Sequence, residues 1–188
     1  MGMVKSIIYW HPWIYRIAMM LYYGKEYSKR YLVIVKEVGN MEVLDVCCGD
    51  CKLSNYVKKY KGIDFNEEFV KSARKKGLDV AKIDIAKGNI PKSECIVMQD
   101  SLYQFIPNHE KLIKKLLRQS KKVIISEAGI TLGQSKNPII SAIAKKLTTT
   151  SRPNKERFTK KELHKLFKKF NAKKIIDTGK DLTAVFEP

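Results

Sequence analysis

Residues 42–53 read Glu42-Val43-Leu44-Asp45-Val46-Cys47-Cys48-Gly49-Asp50-Cys51-Lys52-Leu53. The first part is apolar and β-favouring, which predicts a buried central strand. The run breaks at Gly49, and the helix formers that follow predict a helix from Lys52 to Lys59. Strand, tight turn and helix in this order form the first step of a nucleotide-binding sheet, in which the turn lets backbone approach a ligand and the helix start offers free N–H groups.

The spacing Asp45-x-Cys47-x-Gly49-x-Cys51 resembles the first motif of the class I S-adenosyl-L-methionine (SAM)-dependent methyltransferases. In that family an acidic residue in the strand is followed by glycines at every second position. Here Gly49 keeps one glycine, and cysteine replaces the other two. The resemblance implies that Asp45 organises the turn and reaches the methionine end of SAM, and that Gly49 permits close approach. Side chains at Cys47 and Cys51 would narrow the pocket.

The length of 188 residues suits one domain with a full core, and 44% apolar with 30% charged residues indicates a globular chain. The net charge is +18. A basic face of this kind could hold RNA, DNA or an anionic membrane surface. The lysines are spread over most predicted helices, which favours the alternative of a lysine-rich surface without such a partner.

The cysteine pattern does not indicate a secreted disulfide framework, because three of the four lie within one turn. We therefore expect a reducing, cytoplasmic location. A metal site is disfavoured, because the spacing lacks paired CxxC units. The four cysteines are Cys47, Cys48, Cys51 and Cys95.

An apolar segment near the N-terminus, residues 7–23, is interrupted by His11, Pro12 and Arg16 and is short for a bilayer span. It predicts an amphipathic or buried helix, with interfacial membrane contact as the less favoured alternative. A helix from about Trp13 to Tyr23 and a second from about Glu26 to Val38 should end at glycines.

We expect residues 1–40 to cover the site, with Tyr22 or Tyr23 near the ligand, and residues 41–188 to form the SAM-binding domain, within one compact domain overall.

A second acidic position follows the first motif by about twenty residues. Asp64 stands where a second strand should end, and the resemblance implies that its carboxylate holds the SAM ribose. Asn66, followed by Glu67 and Glu68, already supplies a helix cap, which predicts that Asp64 is free for a ligand.

Later strands end in similar positions. The predicted third strand, Val80–Ile85, brings Asp84 and Ile85 to where the family binds adenine, and the fourth, Glu94–Gln99, ends before Asp100. A fifth strand ends at Glu127. By this resemblance the cofactor-binding residues are Asp45, Cys47, Gly49, Cys51, Asp64, Phe65, Asp84, Ile85, Gln99 and Asp100.

The alternation of strands and helices predicts an α/β fold with a mostly parallel, seven-stranded, Rossmann-like methyltransferase sheet and helices on both faces. Two last strands joined through Gly179 predict a C-terminal antiparallel hairpin. Thr159 and Glu162 form a capping box. Residues 129–158, with a short helix at Pro138, predict an insertion over the substrate. Asn108 is the predicted cap of the helix after the fourth strand.

SAM carries a methyl group already activated for displacement, so the protein mainly needs to bind it, aim the acceptor and exclude water. A general base is needed only if the acceptor loses a proton. Candidates are Asp100, Tyr103 and Glu127, and the sequence does not single out one of them as catalytic. The three histidines are less favoured, because each is more typical of a surface or packing residue. The histidines are His11, His109 and His164.

The acceptor is predicted to be a small molecule. The end of the fourth strand lacks the motifs of nucleic-acid amino-methylating and cytosine-C5 enzymes, and no separate RNA-binding module is apparent. Two alternatives stay open: an RNA or protein methyltransferase that uses the basic surface, and a non-catalytic binding protein in which the cysteines weaken SAM binding. The sequence leaves the oligomeric state unknown.

Overall fold

The fold was analysed in a computed structural model that describes residues 11–129 and 157–188. In these ranges seven strands form one sheet with the order β3-β2-β1-β4-β5-β7-β6. Strands β1 to β5 pair in parallel, and β7 runs antiparallel to both β5 and β6. The strands are β1 Val43–Val46, β2 Tyr60–Asp64, β3 Val80–Lys82, β4 Ser93–Gln99, β5 Ser120–Ala128, β6 Lys174–Asp177 and β7 Asp181–Phe186. The predicted sheet and its closing hairpin are confirmed.

Five α-helices surround the sheet in the described ranges. The capping box is confirmed, because Glu162 N–H donates to Thr159 Oγ1 at 3.2 Å and Thr159 N–H donates to a Glu162 carboxylate oxygen at 2.7 Å. Gly24 and Gly39 end the first two helices, as predicted. The helices are α1 Pro12–Tyr23, α2 Lys29–Val38, α3 Glu67–Arg74, α4 His109–Leu117 and α5 Lys160–Lys169.

Three local predictions are wrong. The helix expected from Lys52 to Lys59 is only a 3₁₀ turn, Lys52–Asn55. Ser54 and Asn55 are weak helix formers, and the chain leaves the turn at Tyr56, whose ring stacks on Tyr31 at 5.1 Å. α2 starts at Lys29 and not at Glu26, because residues 24–26 form a separate 3₁₀ turn. Asn108 precedes α4 but makes no side-chain cap hydrogen bond. The helix expected at Pro138 lies outside the described residues.

The core has one apolar layer on each face of the sheet. Strand β4 shows the alternation: Ile96 and Met98 pack into the layer that contains α4 and α5, whereas Cys95 and Val97 pack into the layer that contains α2. All four side chains are fully buried. The prediction of helices on both faces is therefore confirmed, and α2 is held against the sheet by its own apolar stripe. The buried residues of that stripe are Tyr31, Ile34 and Val38.

Helix α1 is amphipathic. Its outer side exposes Trp13 at 62%, Ile17 at 49% and Leu21 at 80%, whereas Tyr23 is 3% exposed. Among the described residues, none of the helices combines the length and the apolar character that crossing a bilayer requires.

Candidate active site

A cleft of about 690 Å³, part of it open to solvent, lies beyond the carboxyl ends of β1, β2 and β4. Open parallel sheets bind ligands at this edge. Seven of the predicted cofactor-binding residues line it: Cys47, Gly49, Asp64, Phe65, Asp84, Ile85 and Asp100. The sequence thus predicted which residues come together, while their binding roles stay a prediction.

The turn after β1 forms the floor of this cleft. Cys48 N–H donates to Ile63 O on β2 at 3.1 Å, which ties the turn to the sheet. A Cβ placed on Gly49 would meet only Tyr15 Cε1, at 3.8 Å, so the space above this glycine is open. Cys47 and Cys51 have φ values of 59° and 58°, the left-handed region that glycine adopts most easily. Both positions where cysteine replaces a glycine of the resembled motif therefore carry backbone strain.

Asp64 is the last residue of β2 and is 6% exposed. Gly49 N–H donates to its Oδ2 at 2.9 Å, and Asn66 N–H donates to its Oδ1 at 2.8 Å. Burial raises the pKa of Asp64, although these backbone N–H groups oppose the rise. Asn66 caps α3 through Glu68 N–H, as predicted. Both Asp64 oxygens accept a backbone N–H, and each keeps a second lone pair, so its availability to a ligand stays a prediction.

The loop after β3 is fixed from two sides. Ala86 N–H donates to Asp84 Oδ1 at 3.0 Å, which holds the carboxylate in a local turn. Lys115 of α4 donates to the carbonyl oxygens of Ile85, at 3.1 Å, and Gly88. Asp84 and Ile85 line the same cleft as Gly49.

A second, smaller cleft of about 310 Å³ adjoins the first, and Tyr15, Cys47 and Asp100 line both. It contains Asp45 and Gln99, two of the three predicted residues that the larger cleft lacks. Tyr60 donates its hydroxyl to Asp45 Oδ2 at 2.9 Å, and burial raises the pKa of Asp45 to about 8. Gln99 Nε2 is buried without a hydrogen-bond partner in the described part of the chain. Cys51, the remaining predicted residue, is 2% exposed and lines neither of these clefts.

The N-terminal helices contribute residues that sequence reasoning missed. Tyr15 of α1 lines both clefts and packs edge-on against Phe69 with ring centroids 5.8 Å apart. Arg16 makes a 2.8 Å ion pair with Asp50 of the turn. Tyr22 and Tyr23, the tyrosines suggested from the sequence, line neither cleft. The available sequence signal for the contact between α1 and the turn was the presence of polar residues within the apolar pattern of α1.

Four side chains, Tyr23, Arg30, Asp100 and Asp181, form a buried ionic group that we call the Arg30 cluster. The Arg30 guanidinium contacts Asp100 Oδ2, and its Nε lies 3.3 Å from Asp181 Oδ2. Tyr23 donates its hydroxyl to Asp181 Oδ1 at 2.6 Å and also lies 3.1 Å from both Asp100 oxygens. Burial, followed by the charge of Asp100, raises the pKa of Asp181 to about 7. The cluster fixes the Asp100 carboxylate just after the end of β4, at a position that lines both clefts.

A protein-family model described as "Methionine biosynthesis protein MetW" matches residues 29–160. The chain belongs to the MetW family. The match includes every residue that lines the larger cleft except Tyr15. A search of curated protein sequences finds no match.

Solved structures similar to this MetW-family chain include methyltransferases. Magnesium protoporphyrin IX methyltransferase (ChlM) from Synechocystis PCC 6803, with bound S-adenosylhomocysteine (SAH), is 18% identical, with a TM-score of 0.60 over 85% of this chain and 82% of that one. A SAM-dependent methyltransferase from Clostridium acetobutylicum is 14% identical, with a TM-score of 0.54 over 83% and 88%. The DhpI–SAM–HEP complex is 12% identical, with a TM-score of 0.60 over 88% and 89%. At these identities the likeness establishes the fold alone.

Of the three candidate general bases in this MetW-family chain, only Asp100 lines the clefts. Glu127 is 1% exposed and accepts from Tyr103 N–H at 3.3 Å and Ala128 N–H at 3.2 Å. Burial, and then the charge of Asp100, raises the pKa of Glu127 to about 8. Tyr103 is buried, with the Arg157 guanidinium 3.2 Å from its ring centroid. No histidine lines either of these two clefts, so Asp100 is the one candidate base that borders them.

Within residues 11–129 and 157–188, no group of three or more histidine, cysteine or acidic side chains is arranged to hold a metal ion. The four cysteines are free thiols.

Proposed function

We propose that this protein is a SAM-dependent methyltransferase that transfers the methyl group directly to a small-molecule acceptor. The observation that carries the proposal is the single cleft that gathers Gly49, Asp64 and Asp84 at the carboxyl edge of the parallel strands. Membership of the MetW family and the fold shared with SAM- and SAH-bound methyltransferases support it.

The residues present fit an adenosyl group. The Asp64 carboxylate has lone pairs for two ribose hydroxyls, and Asp84 with Ile85 offers a polar and an apolar contact for adenine. The open space over Gly49 accommodates close approach of the ligand. We assign the methionine end to the second cleft, where Gln99 Nε2 has no partner among the described residues and is available to an anionic or carbonyl oxygen.

The cofactor supplies a methyl group on a positive sulfur, which needs little further activation. The work left to this chain is to orient both ligands and exclude water. Tyr15 and Phe69 wall the larger cleft, and their edge-on contact links α1 to α3 across it. Because Arg30 and Tyr23 already engage the Asp100 carboxylate, we assign Asp100 a positioning role and propose no general base.

The test of this function is calorimetry with SAM and SAH, with NAD as the nucleotide that should not bind. We expect both sulfur ligands to bind and NAD to give no heat. Methyl transfer from radiolabelled SAM would then be followed into the small-molecule and RNA fractions of a cell extract. If neither SAM nor SAH binds, the protein is not a SAM-dependent enzyme, and the alternative of a non-catalytic protein with a cofactor site narrowed by Cys47 gains support.

The net charge of +18 keeps an RNA or protein acceptor as the second candidate function. An RNA substrate would be held through phosphate contacts, so its binding should weaken steeply with salt. Label in RNA together with that salt dependence would favour this candidate, whereas label only in the small-molecule fraction would favour the first. Neither experiment tests the boundary between residues 1–40 and 41–188 or the cytoplasmic location, and both stay predictions. Neither experiment reports on the oligomeric state.

A further inference from the structure

The turn after β1, residues 48–51, contains two thiols that face each other. Cys51 donates its Sγ–H to Cys48 Sγ with the sulfurs 3.6 Å apart. Cys51 N–H also donates to Cys48 O at 2.9 Å, so the four residues from Cys48 to Cys51 form a tight turn. Both cysteines are free thiols, and the proposed methyl transfer uses neither.

The backbone of this turn suits a disulfide. The first and last residues of a β-turn have Cα atoms less than about 7 Å apart. Disulfides join residues whose Cα atoms are roughly 4.4 to 6.8 Å apart. The two sulfurs have to approach from 3.6 Å to a bond length of about 2.05 Å. The pair therefore meets the distance requirement without rearrangement of the sheet.

We propose that Cys48 and Cys51 form a reversible disulfide that lowers the affinity of the adjacent cleft for the cofactor. The effect on affinity rests on the proposed function, whereas the formation of the bond does not. The oxidant is a hydroperoxide. One thiolate attacks the peroxide oxygen, giving a sulfenic acid and releasing water or an alcohol, and the second thiol displaces the sulfenic oxygen as water. Two thiols lose two electrons and two protons in total, and the O–O bond is reduced.

The disulfide would act on the cleft through Gly49, which lies inside the Cys48–Cys51 turn. Cys48 is anchored to β2, because its Sγ packs over Gly62, in the space that a Cβ there would need, and its N–H donates to Ile63 O. Most of the approach must therefore come from Cys51 and the peptide units before it. Those units carry the Gly49 N–H that donates to Asp64. Closing the S–S bond should disturb this hydrogen bond and the shape of the cleft floor.

Burial limits which oxidants can reach the pair. Cys48 is 8% exposed and Cys51 is 2% exposed. The hydrogen bond with Cys51, together with burial, raises the pKa of Cys48, which slows its attack as a thiolate. A small hydroperoxide should react, slowly, whereas a bulky disulfide reagent should not. A ligand over Gly49 should slow the reaction further, because coupling between the cleft and the thiol pair is reciprocal.

The experiment uses the full chain treated with hydrogen peroxide and, in parallel, with dithiothreitol. We expect a loss of roughly 2 Da, two hydrogens, in the intact mass and a peptide map that joins Cys48 to Cys51. SAH affinity measured by calorimetry should fall about tenfold on oxidation and return on reduction. Cys48→Ser and Cys51→Ser should lose the mass change. Cys95→Ala, which removes a buried thiol of β4, is the control and should keep it.

Three results would overturn the proposal: a folded protein with no mass loss, a disulfide that instead contains Cys47, or a Cys48–Cys51 disulfide with unchanged SAH affinity. Cys47 is the rival because it lines the cleft and is less buried. If the reduced protein does not bind SAH at all, the proposed function has failed, and the peptide map still decides whether this thiol pair forms a disulfide.

Discussion

The cofactor cleft and the Arg30 cluster lie side by side at the carboxyl edge of the sheet, and Asp100 belongs to both. Two carboxylates of the cleft are held by backbone two residues further along the chain: Asp64 by Asn66 N–H and Asp84 by Ala86 N–H. The cluster is built from side chains far apart in sequence: 70 residues separate Arg30 from Asp100, and 158 separate Tyr23 from Asp181.

This difference separates two ways in which a fold fixes charge. Backbone N–H groups hold the cleft carboxylates and leave lone pairs open to a ligand. A buried cation and a tyrosine hold the two cluster carboxylates, so one of their negative charges is balanced within the cluster. The cleft therefore has the chemistry of a binding site, and the cluster attaches the N-terminal helices to the sheet.

The largest effect should follow from Arg30→Met. The substitution leaves Asp100 and Asp181 close together without their buried cation, and removing one partner of such a group typically costs about 3–5 kcal/mol in unfolding free energy. Urea denaturation measures the change, and Lys29→Met, at the exposed neighbouring position, is the matched control. A loss of less than about 1 kcal/mol would mean that the cluster does not attach α2 to the sheet.

The pH dependence of stability should reflect the raised pKa of Asp45. Its folded pKa of about 8 lies above the unfolded value of about 4, so the folded state binds more protons in this window. The contribution of Asp45 to the unfolding free energy is therefore greatest below the unfolded pKa and is lost as pH rises towards 8.

Asp45→Asn removes this titration and should retain the bond from Tyr60. Relative to the variant, the native protein should lose on the order of 1 kcal/mol per pH unit between pH 5 and 8. Denaturation curves across that range measure the difference. Parallel pH profiles for the two proteins would contradict the raised pKa of Asp45.

Asp64→Asn tests the cleft itself. The amide keeps one oxygen but turns its NH₂ group towards a backbone N–H or towards the ribose, so SAH binding should weaken by about 1–3 kcal/mol. Calorimetry gives the affinity, and Asp79→Asn, on the exposed loop before β3, serves as control. Unchanged SAH affinity in a folded Asp64→Asn protein would remove Asp64 from the site.

The smallest effect is expected from the strained cysteines. Cys47→Gly and Cys51→Gly should relieve similar left-handed strain, because their φ values are nearly equal. Cys51, at 2% exposure, also loses buried packing, whereas Cys47 loses less. The Cys47→Gly protein should therefore be the more stable of the two by about 1 kcal/mol. Equal stabilities would show that burial of the Cys51 sulfur contributes little.

Much of the cleft could be predicted because its residues follow strand ends in local patterns. The acids after β2, β3 and β4 were placed correctly from strand alternation, since parallel strands bring their carboxyl ends to one edge. The helix predicted after Gly49 was wrong, because contacts such as Tyr56 on Tyr31 override weak local propensity. The role of Arg30 was missed, because nothing beside it in sequence marks its partners.

The sequence by itself determined the succession of strands, the closing hairpin and the row of residues at the strand ends, because these depend on apolar periodicity and turn chemistry within a few residues. Only the tertiary structure decided that Arg30 neutralises Asp100, that Tyr15 walls the cleft and that Cys48 faces Cys51. Those contacts depend on how helices pack on the sheet and on the positive φ of the turn, and burial then sets the charge of each group.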